Sequence, residues 1–300
     1  MDMHTGFDTL RYGITQGYAP DWVSCWGEDS IGPFIEFTVD GPQPDPPSET
    51  FINPEVYQVT QRLRWIPAGS FLMGSPEDED GRGDDEGPQH EVTFKKGFWI
   101  FDTACTQALY EAVTGENPSE FKGPDRPVEN VSWNDVQAFI IRLNVLLPGL
   151  ILNLPSEAQW EHACRAGTTT PFSFGETITT DQVNYNGNHP YGDGPKGEYR
   201  QETVPVANLP ANAWGLYEMH GNVYEWCADH WHQNYEDAPQ NGDAWIDENL
   251  TKLEHGDLNY VLRGGSWNHN SKLVRSAFRN WVQPEFRRRY LGFRCARVEK

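Results

Sequence analysis

Arg263–Arg294 reads RGGSWNHNSKLVRSAFRNWVQPEFRRRYLGFR, and its reading decides the fold. It opens with the glycine pair Gly264 and Gly265 after the apolar run Tyr260-Val261-Leu262, and closes on Leu291-Gly292-Phe293-Arg294. Trp267, Phe278, Trp281, Phe286 and Tyr290 lie between, interleaved with Asn268, His269, Asn270, Asn280 and a run of arginines. A half-buried strand alternates apolar and polar residues. This stretch does so only at its edges. Its middle has the composition of a contact surface, with rigid aromatic anchors beside adaptable polar groups. A loop that packs its own aromatics and pairs its arginines with an acidic body has the same composition.

The charge distribution bears on that alternative. The 300-residue chain has a net charge of −21, which argues against a nucleic-acid or anionic-membrane partner. Residues 261–300 carry ten Lys and Arg against only Glu285 and Glu299, so this segment is +8 and the remainder −29. Opposite charges within one chain meet without an association cost, so neutralisation of the acidic body on folding is the favoured reading. The five cysteines, Cys25, Cys105, Cys164, Cys227 and Cys295, form no C-x-x-C pair, and their odd number argues against a disulfide framework. The N-terminus shows no signal-peptide core and no run is long enough to cross a membrane, so a reducing, cytoplasmic setting is expected.

Outward from the C-terminal stretch, the 28 glycines and 22 prolines predict much loop and little long helix. Residues 1–60 read as an N-terminal extension packed on a main domain of 61–300. The extension has an apolar knot at Trp22, Val23, Cys25 and Trp26, a strand at Ile31–Val39 and an exposed connector at 40–50. Val56–Trp65 alternates and is expected to pair with the first strand. RWIPAGSFLMGS reads as two short strands about Pro67-Ala68-Gly69, and His90–Phe101 as a strand pair. The acidic run 76–89 between them is expected to be a solvated loop, since it lacks the spacing and closing glutamate of an EF-hand. Helices are expected at Gln107–Val113 behind Thr106, at Ser132–Asn144 with a Ser132/Asp135 capping box, and at Glu157–Arg165 behind Ser156 and Gln159. Residues 214–227 are glycine-interrupted yet aromatic, so an irregular packed segment is expected. Residues 232–258 read as a surface loop.

RWIPAGSFLMGS, RPVENVSWNDVQAF, LPSEAQWEHACRAG, GLYEMHGNVYEWCAD and RGGSW…GFR together resemble, in order, the successive motifs of the formylglycine-generating enzyme (sulfatase-modifying factor) family. The resemblance covers residues 62–297. It implies an α+β domain, a variant of the C-type lectin fold with little regular secondary structure. It also implies two active-site cysteines just after the GGS-aromatic motif, which hold copper and oxidise a substrate thiol. Those positions are His269 and Val274 here. Valine neither ligates copper nor exchanges a thiol, so copper and formylglycine synthesis are not expected. A metal-dependent oxidoreductase of the same family, using iron or copper on histidine ligands, is the alternative. The H-x-x-x-H-x-E cluster of the iron branch is absent, and His230 and His232 have no third ligand at a suggestive spacing. His162 and His220 read as hydrogen-bonded core residues.

The resemblance further implies structural Ca2+. One site would use the Glu218 and Glu225 side chains with the Gly221 and Val223 carbonyls. A second would use Asn184, the Tyr185 carbonyl, Glu198 and the Arg200 carbonyl. The competing reading has Glu225 paired with a core arginine.

The same fold serves as the variable protein of diversity-generating retroelements, in which a C-terminal stretch opening in GGSW and closing in GFR carries the variable ligand-binding positions. Carried over, the framework here is Gly264, Gly265, Ser266, Trp267, Arg275, Ser276, Arg279, Pro284, Arg287, Gly292, Phe293 and Arg294. The ligand-binding set is Asn268, His269, Asn270, Phe278, Asn280, Trp281, Val282, Glu285, Phe286, Arg288, Arg289 and Tyr290. The expectation is a non-catalytic domain that binds a protein or other macromolecular ligand with this segment. An accessory interaction domain, with these aromatics buried against the body, is the third possibility.

Overall fold

The computed structural model describes residues 10, 13, 14, 16–41, 57–247 and 258–297. The connector expected at 40–50 therefore lies outside the described residues beyond Gly41, as do 248–257 of the expected surface loop.

Among the described residues, three sheets and the short helices at Gln107–Thr114, Trp133–Leu146 and Glu157–Arg165 build the body of the fold. β1 (Cys25–Glu28), β2 (Pro33–Gly41), β3 (Tyr57–Ile66), β6 (Phe98–Phe101) and β11 (Ala296–Arg297) form a five-stranded sheet in that order. Ile35, Phe37 and Val39 alternate inward along β2, and β2 pairs antiparallel with β3 from Phe34↔Arg64 to Gly41↔Tyr57. The strands supplied by residues 25–41 thus extend the same sheet that contains β6 and β11. β10 (Leu291–Gly292), β7 (Tyr224–His230), β8 (Tyr260–Arg263) and β9 (Arg279–Val282) form a second sheet, and β4 (Gly69–Met73) pairs with β5 (His90–Phe94).

The helices start where their caps dictate. Thr106 accepts the Leu109 amide ahead of α1 (Gln107–Thr114), and Gly115 ends the helix at φ 81°. Ser132 and Asp135 close a capping box ahead of α2 (Trp133–Leu146), whose Val136, Phe139, Ile140 and Leu143 form the buried stripe. Ser156 and Gln159 do the same for α3 (Glu157–Arg165), every residue of which is buried. α1 packs on β2 and β3, and α2 packs on α1 through stacked Tyr110 and Phe139, whose centroids are 5.4 Å apart, with Phe293 edge-on to Phe139. Leu262, Trp226 and Leu291 of the second sheet enter the same cluster.

Several expectations are corrected. β5 and β6 are strands but not partners: β5 pairs with β4 and β6 with β3 and β11, so Lys95-Lys96-Gly97 joins two sheets instead of turning a hairpin. β3 and β4 flank Pro67 as expected and belong to different sheets. In the N-terminal knot only Trp22 is buried; Val23 is partly buried, Cys25 is exposed and Trp26 is 45% exposed. The end of the segment 214–227, expected to be irregular, enters the inner strand β7 (Tyr224–His230), nearly all buried, because a strand covered on both faces loses the alternating signature.

The acidic run 76–89 is not a solvated loop throughout. Glu79 and Glu86 close on Arg275, which donates to both Glu86 oxygens at 2.6 and 2.8 Å, to Glu79, and to the Gly81 carbonyl. The loop straps the C-terminal segment because a guanidinium with 0% exposure must have its charge matched.

Candidate functional site

The route of Arg263–Arg294 is set by its glycines and its arginines. Gly264 and Gly265 turn the chain at φ 90° and 68°, and a Cβ on Gly265 would lie 2.3 Å from the Leu273 carbonyl oxygen. Four arginines then anchor the segment, each at 2% exposure or less. Arg263 bridges Glu157 at 2.9 Å and Glu161 at 2.6 Å. Arg279 grips Glu157 with Nε and Nη2 at 2.6 and 2.8 Å. Arg294 forms a two-point pair with Glu225 at 2.7 and 2.8 Å, and Arg275 takes the acidic strap. Bidentate guanidinium–carboxylate pairs fix register as well as charge. The basic segment thus neutralises acids of its own chain.

Burial divides the segment along the line expected from the sequence. Gly264, Gly265, Ser266, Trp267, Arg275, Ser276, Arg279, Gly292, Phe293 and Arg294 are buried. All twelve residues of the expected ligand-binding set are partly or fully exposed: Asn268, His269, Asn270, Phe278, Asn280, Trp281, Val282, Glu285, Phe286, Arg288, Arg289 and Tyr290. Pro284 and Arg287 depart from the rule; Arg287 is exposed and pairs with Asp135 at 2.6 Å, tying the segment to the cap of α2.

Within the face, His269 packs edge-on against Tyr224 and Tyr290, and Asn280 donates to the Tyr224 hydroxyl at 3.4 Å. Arg288 lies 4.0 Å over the Phe286 ring, and Arg289 lies 5.3 Å over Trp267 while pairing with Glu120 at 2.8 Å. Trp281 is 44% exposed beside Trp231, and Arg279 stacks beneath Trp231 at 4.4 Å. Tyr224 and Trp231 were not anticipated in this face. They come from β7 and its end, and their only local signal is aromatic density.

The two positions that would carry reactive thiols hold an imidazole and an aliphatic side chain here. His269 Nδ1 lies 2.6 Å from Ser266 Oγ, and burial lowers its pKa to about 4. Val274 is buried in an apolar cluster with Phe172, Ile178, Val183, Tyr185 and Tyr191. Its carbonyl accepts from His220 Nδ1 at 2.7 Å, and His220 Nε2 accepts the Ser173 amide. Cys164 lies 3.6 Å from that imidazole, but desolvation pushes its thiol up to about 12. His230 Nδ1 accepts the Asp247 amide, and His232 stacks on Trp245 at 3.7 Å. Among the described residues, no group of three or more His, Cys, Asp and Glu could hold a metal ion.

The first calcium set does not fit a cation. Glu225 faces Arg294 and also accepts Trp160 Nε1 at 2.7 Å, the competing reading from the sequence. Glu218 turns to the Ala207 and Leu209 amides, and desolvation raises its carboxyl to about 7. The Gly221 amide donates to the Gly264 carbonyl, and the Val223 side chain is buried. The second set retains a feature that fits. Asn184 Nδ2 donates to the Glu202 carbonyl and to Asn222, whereas its buried Oδ1 has no partner among the described residues. Tyr185 is buried next to it, and Glu198 is exposed and pairs with Arg200 at 3.3 Å.

The profile of the sulfatase-modifying factor enzyme 1-like domain matches residues 50–299. The chain belongs to this family. The serine/threonine-protein kinase pkn1 of Chlamydia caviae is 35% identical over 79% of this chain and 38% of that protein. The formylglycine-generating enzyme of Thermomonospora curvata is 32% identical over 66% of this chain and 63% of its own length. The chain therefore spans less than two thirds of either relative. Among solved structures, PvdO from Pseudomonas aeruginosa superposes with a TM-score of 0.66 at 35% identity, covering 79% of this chain and 94% of that one. Treponema denticola variable protein 1 superposes with a TM-score of 0.63 at 24% identity, covering 80% and 95%, a likeness of fold. The irregular α+β architecture is that of the formylglycine-generating-enzyme type of C-type lectin fold.

Proposed function

We propose that this family member is a non-catalytic ligand-binding domain that grips a protein or other macromolecule with the exposed positions of Arg263–Arg294. One observation supports the reading: ten framework residues of the segment are buried, while none of the twelve mixed positions is, with Trp281, Glu285, Arg288 and Arg289 exposed and the other eight partly buried, among them Phe278, Val282, Phe286 and Tyr290 against the core. Such a face can change its chemistry without changing the scaffold, which is what the variable protein of a diversity-generating retroelement requires. Trp281, Phe286, Tyr290 and Arg288 are the residue types that dominate binding hot spots. Thiol oxidation is disfavoured because His269 and Val274 stand where thiolates are needed and Cys164 is a buried, weakly acidic thiol. We propose structural Ca2+ only at the second set, with Asn184 Oδ1, the Tyr185 carbonyl and Glu198 as oxygen ligands.

The test is simultaneous randomisation of the twelve positions in a displayed library, with protease resistance as the readout of folding. Most variants should stay folded, whereas the same treatment of Gly265, Arg275, Arg279 and Arg294 should abolish resistance. Equal intolerance in both sets would remove the reading. A near-repeat of the coding sequence for 264–294, with adenines at the mixed positions and beside a reverse-transcriptase gene, would identify the retroelement source.

A further inference from the structure

Helix α2 is apolar on both sides. Val136, Phe139, Ile140 and Leu143 fill the core, and the opposite side of such a helix is ordinarily polar. Here it is not. Ile141 is 64% exposed, Val145 73% and Leu146 55%. Ala138, Ile141, Val145 and Pro148 are all exposed and follow one another at intervals of three, four and three residues. That is the spacing of a coiled-coil seam, along which one helix meets another. Just past the helix, Asn144 bonds the Leu152 amide and carbonyl at 2.8 and 2.9 Å and folds the chain back on the helix end. The turn so held leaves Ile151 46% exposed. These side chains offer a few hundred Å² of apolar surface, the size at which an exposed patch marks an interaction site.

The charge pattern favours one occupant. The chain carries 44 Asp and Glu in 300 residues, yet Val136–Ser156 carries none. Its one charge, Arg142, donates to the Thr114 carbonyl at 3.1 Å, at the end of α1. Asp135, at the start of α2, is already paired with Arg287. Two copies at −21 each repel one another over most approaches, but this stretch brings no carboxylate to the meeting.

The seam is also self-complementary. Ile141 and Val145 lie two residues to either side of Leu143, and Ala138 and Pro148 five to either side. Two antiparallel copies related by a two-fold axis at Leu143 therefore set Ile141 of one against Val145 of the other, and Ala138 against Pro148, each contact made twice.

We propose that the outer face of α2 is the interface of a two-fold homodimer, in which two copies of this helix pack antiparallel through Ile141 and Val145. The dimer is weak, because a standard interface covers about 800 Å² on each partner and the seam offers less. It carries two C-terminal faces, which raises the avidity for a partner with repeated sites.

The test is sedimentation velocity of the full chain from about 1 to 100 μM, the range in which a weak dimer dissociates. A reductant is present, so that the exposed Cys25 forms no cross-link between copies. The mass should rise from 34.2 kDa towards twice that value. Raising the salt from about 50 to 500 mM should strengthen association, since screening removes repulsion and leaves the apolar contact. Docking of the basic C-terminal segment on the acidic body of another copy would respond in the opposite sense. Ile141→Glu and Val145→Glu each enter the pair twice by symmetry and place a carboxylate in the seam, so each should weaken the dimer at least about a hundredfold. Both residues are exposed in the single chain, so the variants should melt as the parent does. Leu72→Glu, the same kind of change at an exposed residue of β4, should leave the dimer intact. A mass of 34.2 kDa throughout, association that salt weakens, or a dimer that survives both seam substitutions would each overturn the proposal.

Discussion

The Glu225–Arg294 pair offers a sharp test of how the C-terminal segment is held. Both residues are essentially inaccessible, at 1% and 0% exposure. Glu225→Gln removes the charge and leaves the shape; the new amide oxygen still accepts from Trp160 Nε1, which lies 2.7 Å from the carboxylate. Arg294 is then a buried cation without its counter-ion. Removing one member of a buried pair costs about 3–5 kcal/mol, because the partner's charge is stranded. Arg294 retains the carbonyls of Phe101, Asp102 and Tyr217, and the Asp102 carboxyl is close enough to interact with it. These keep the expected loss near the lower limit, ~3 kcal/mol. Urea denaturation at neutral pH should show a lower midpoint with an unchanged slope. Glu225→Gln combined with Arg294→Met should be less destabilised than the sum of the single changes, since the two groups are in contact. The loss should be the same in calcium and in chelator. A loss below about 1 kcal/mol, or one that vanishes in chelator, would refute the pairing and return Glu225 to a cation.

Other outcomes follow from the same geometry. Glu218 has a folded pKa raised from 4.5 to about 7 by desolvation, so its contribution is fully present below pH 4.5 and lost as pH rises through 7. Glu218→Gln should therefore match the parent near pH 4.5 and exceed it above pH 8, by up to about 3 kcal/mol, as read from thermal melts across pH. His220 runs the other way: its folded pKa falls from 6.5 to about 4, so the stability it confers is present above pH 6.5 and lost towards pH 4. A His220→Gln variant should flatten that acid limb of the pH–stability curve, and an unchanged limb would contradict the assignment. Thiol titration of the folded chain should label Cys25 alone, because Cys105, Cys164, Cys227 and Cys295 are buried, and Cys25→Ser should abolish the rapid phase.

What the sequence revealed depended on whether the signal was local. The helix caps at Thr106, Ser132 and Ser156 sit within a few residues of what they cap, and all three helices form where expected. The β2–β3 pairing was legible from alternation. β7 was not, because a strand buried on both faces has no period-two pattern. Glu79 and Glu86 read as solvent-facing members of an acidic run; their partner Arg275 lies almost 200 residues away, and no short-range pattern announces such a pair. In the candidate face the absence of pattern was itself the signal. Positions without periodicity proved partly or fully exposed, and the glycines and most of the framework arginines between them proved buried. Asn184 Oδ1 stands apart again, since a missing hydrogen-bond partner has no trace in a sequence.

His269 and Val274 stand where the family resemblance implies two reactive thiols, and the binding reading depends most on that replacement. The direct measurement is to incubate the purified chain with a sulfatase-derived cysteine peptide, copper and oxygen, and to capture any aldehyde with a hydrazide. The Thermomonospora curvata enzyme serves as the positive control. The peptide thiol should be recovered unchanged. Enzyme-dependent aldehyde from this chain would contradict the binding-domain account.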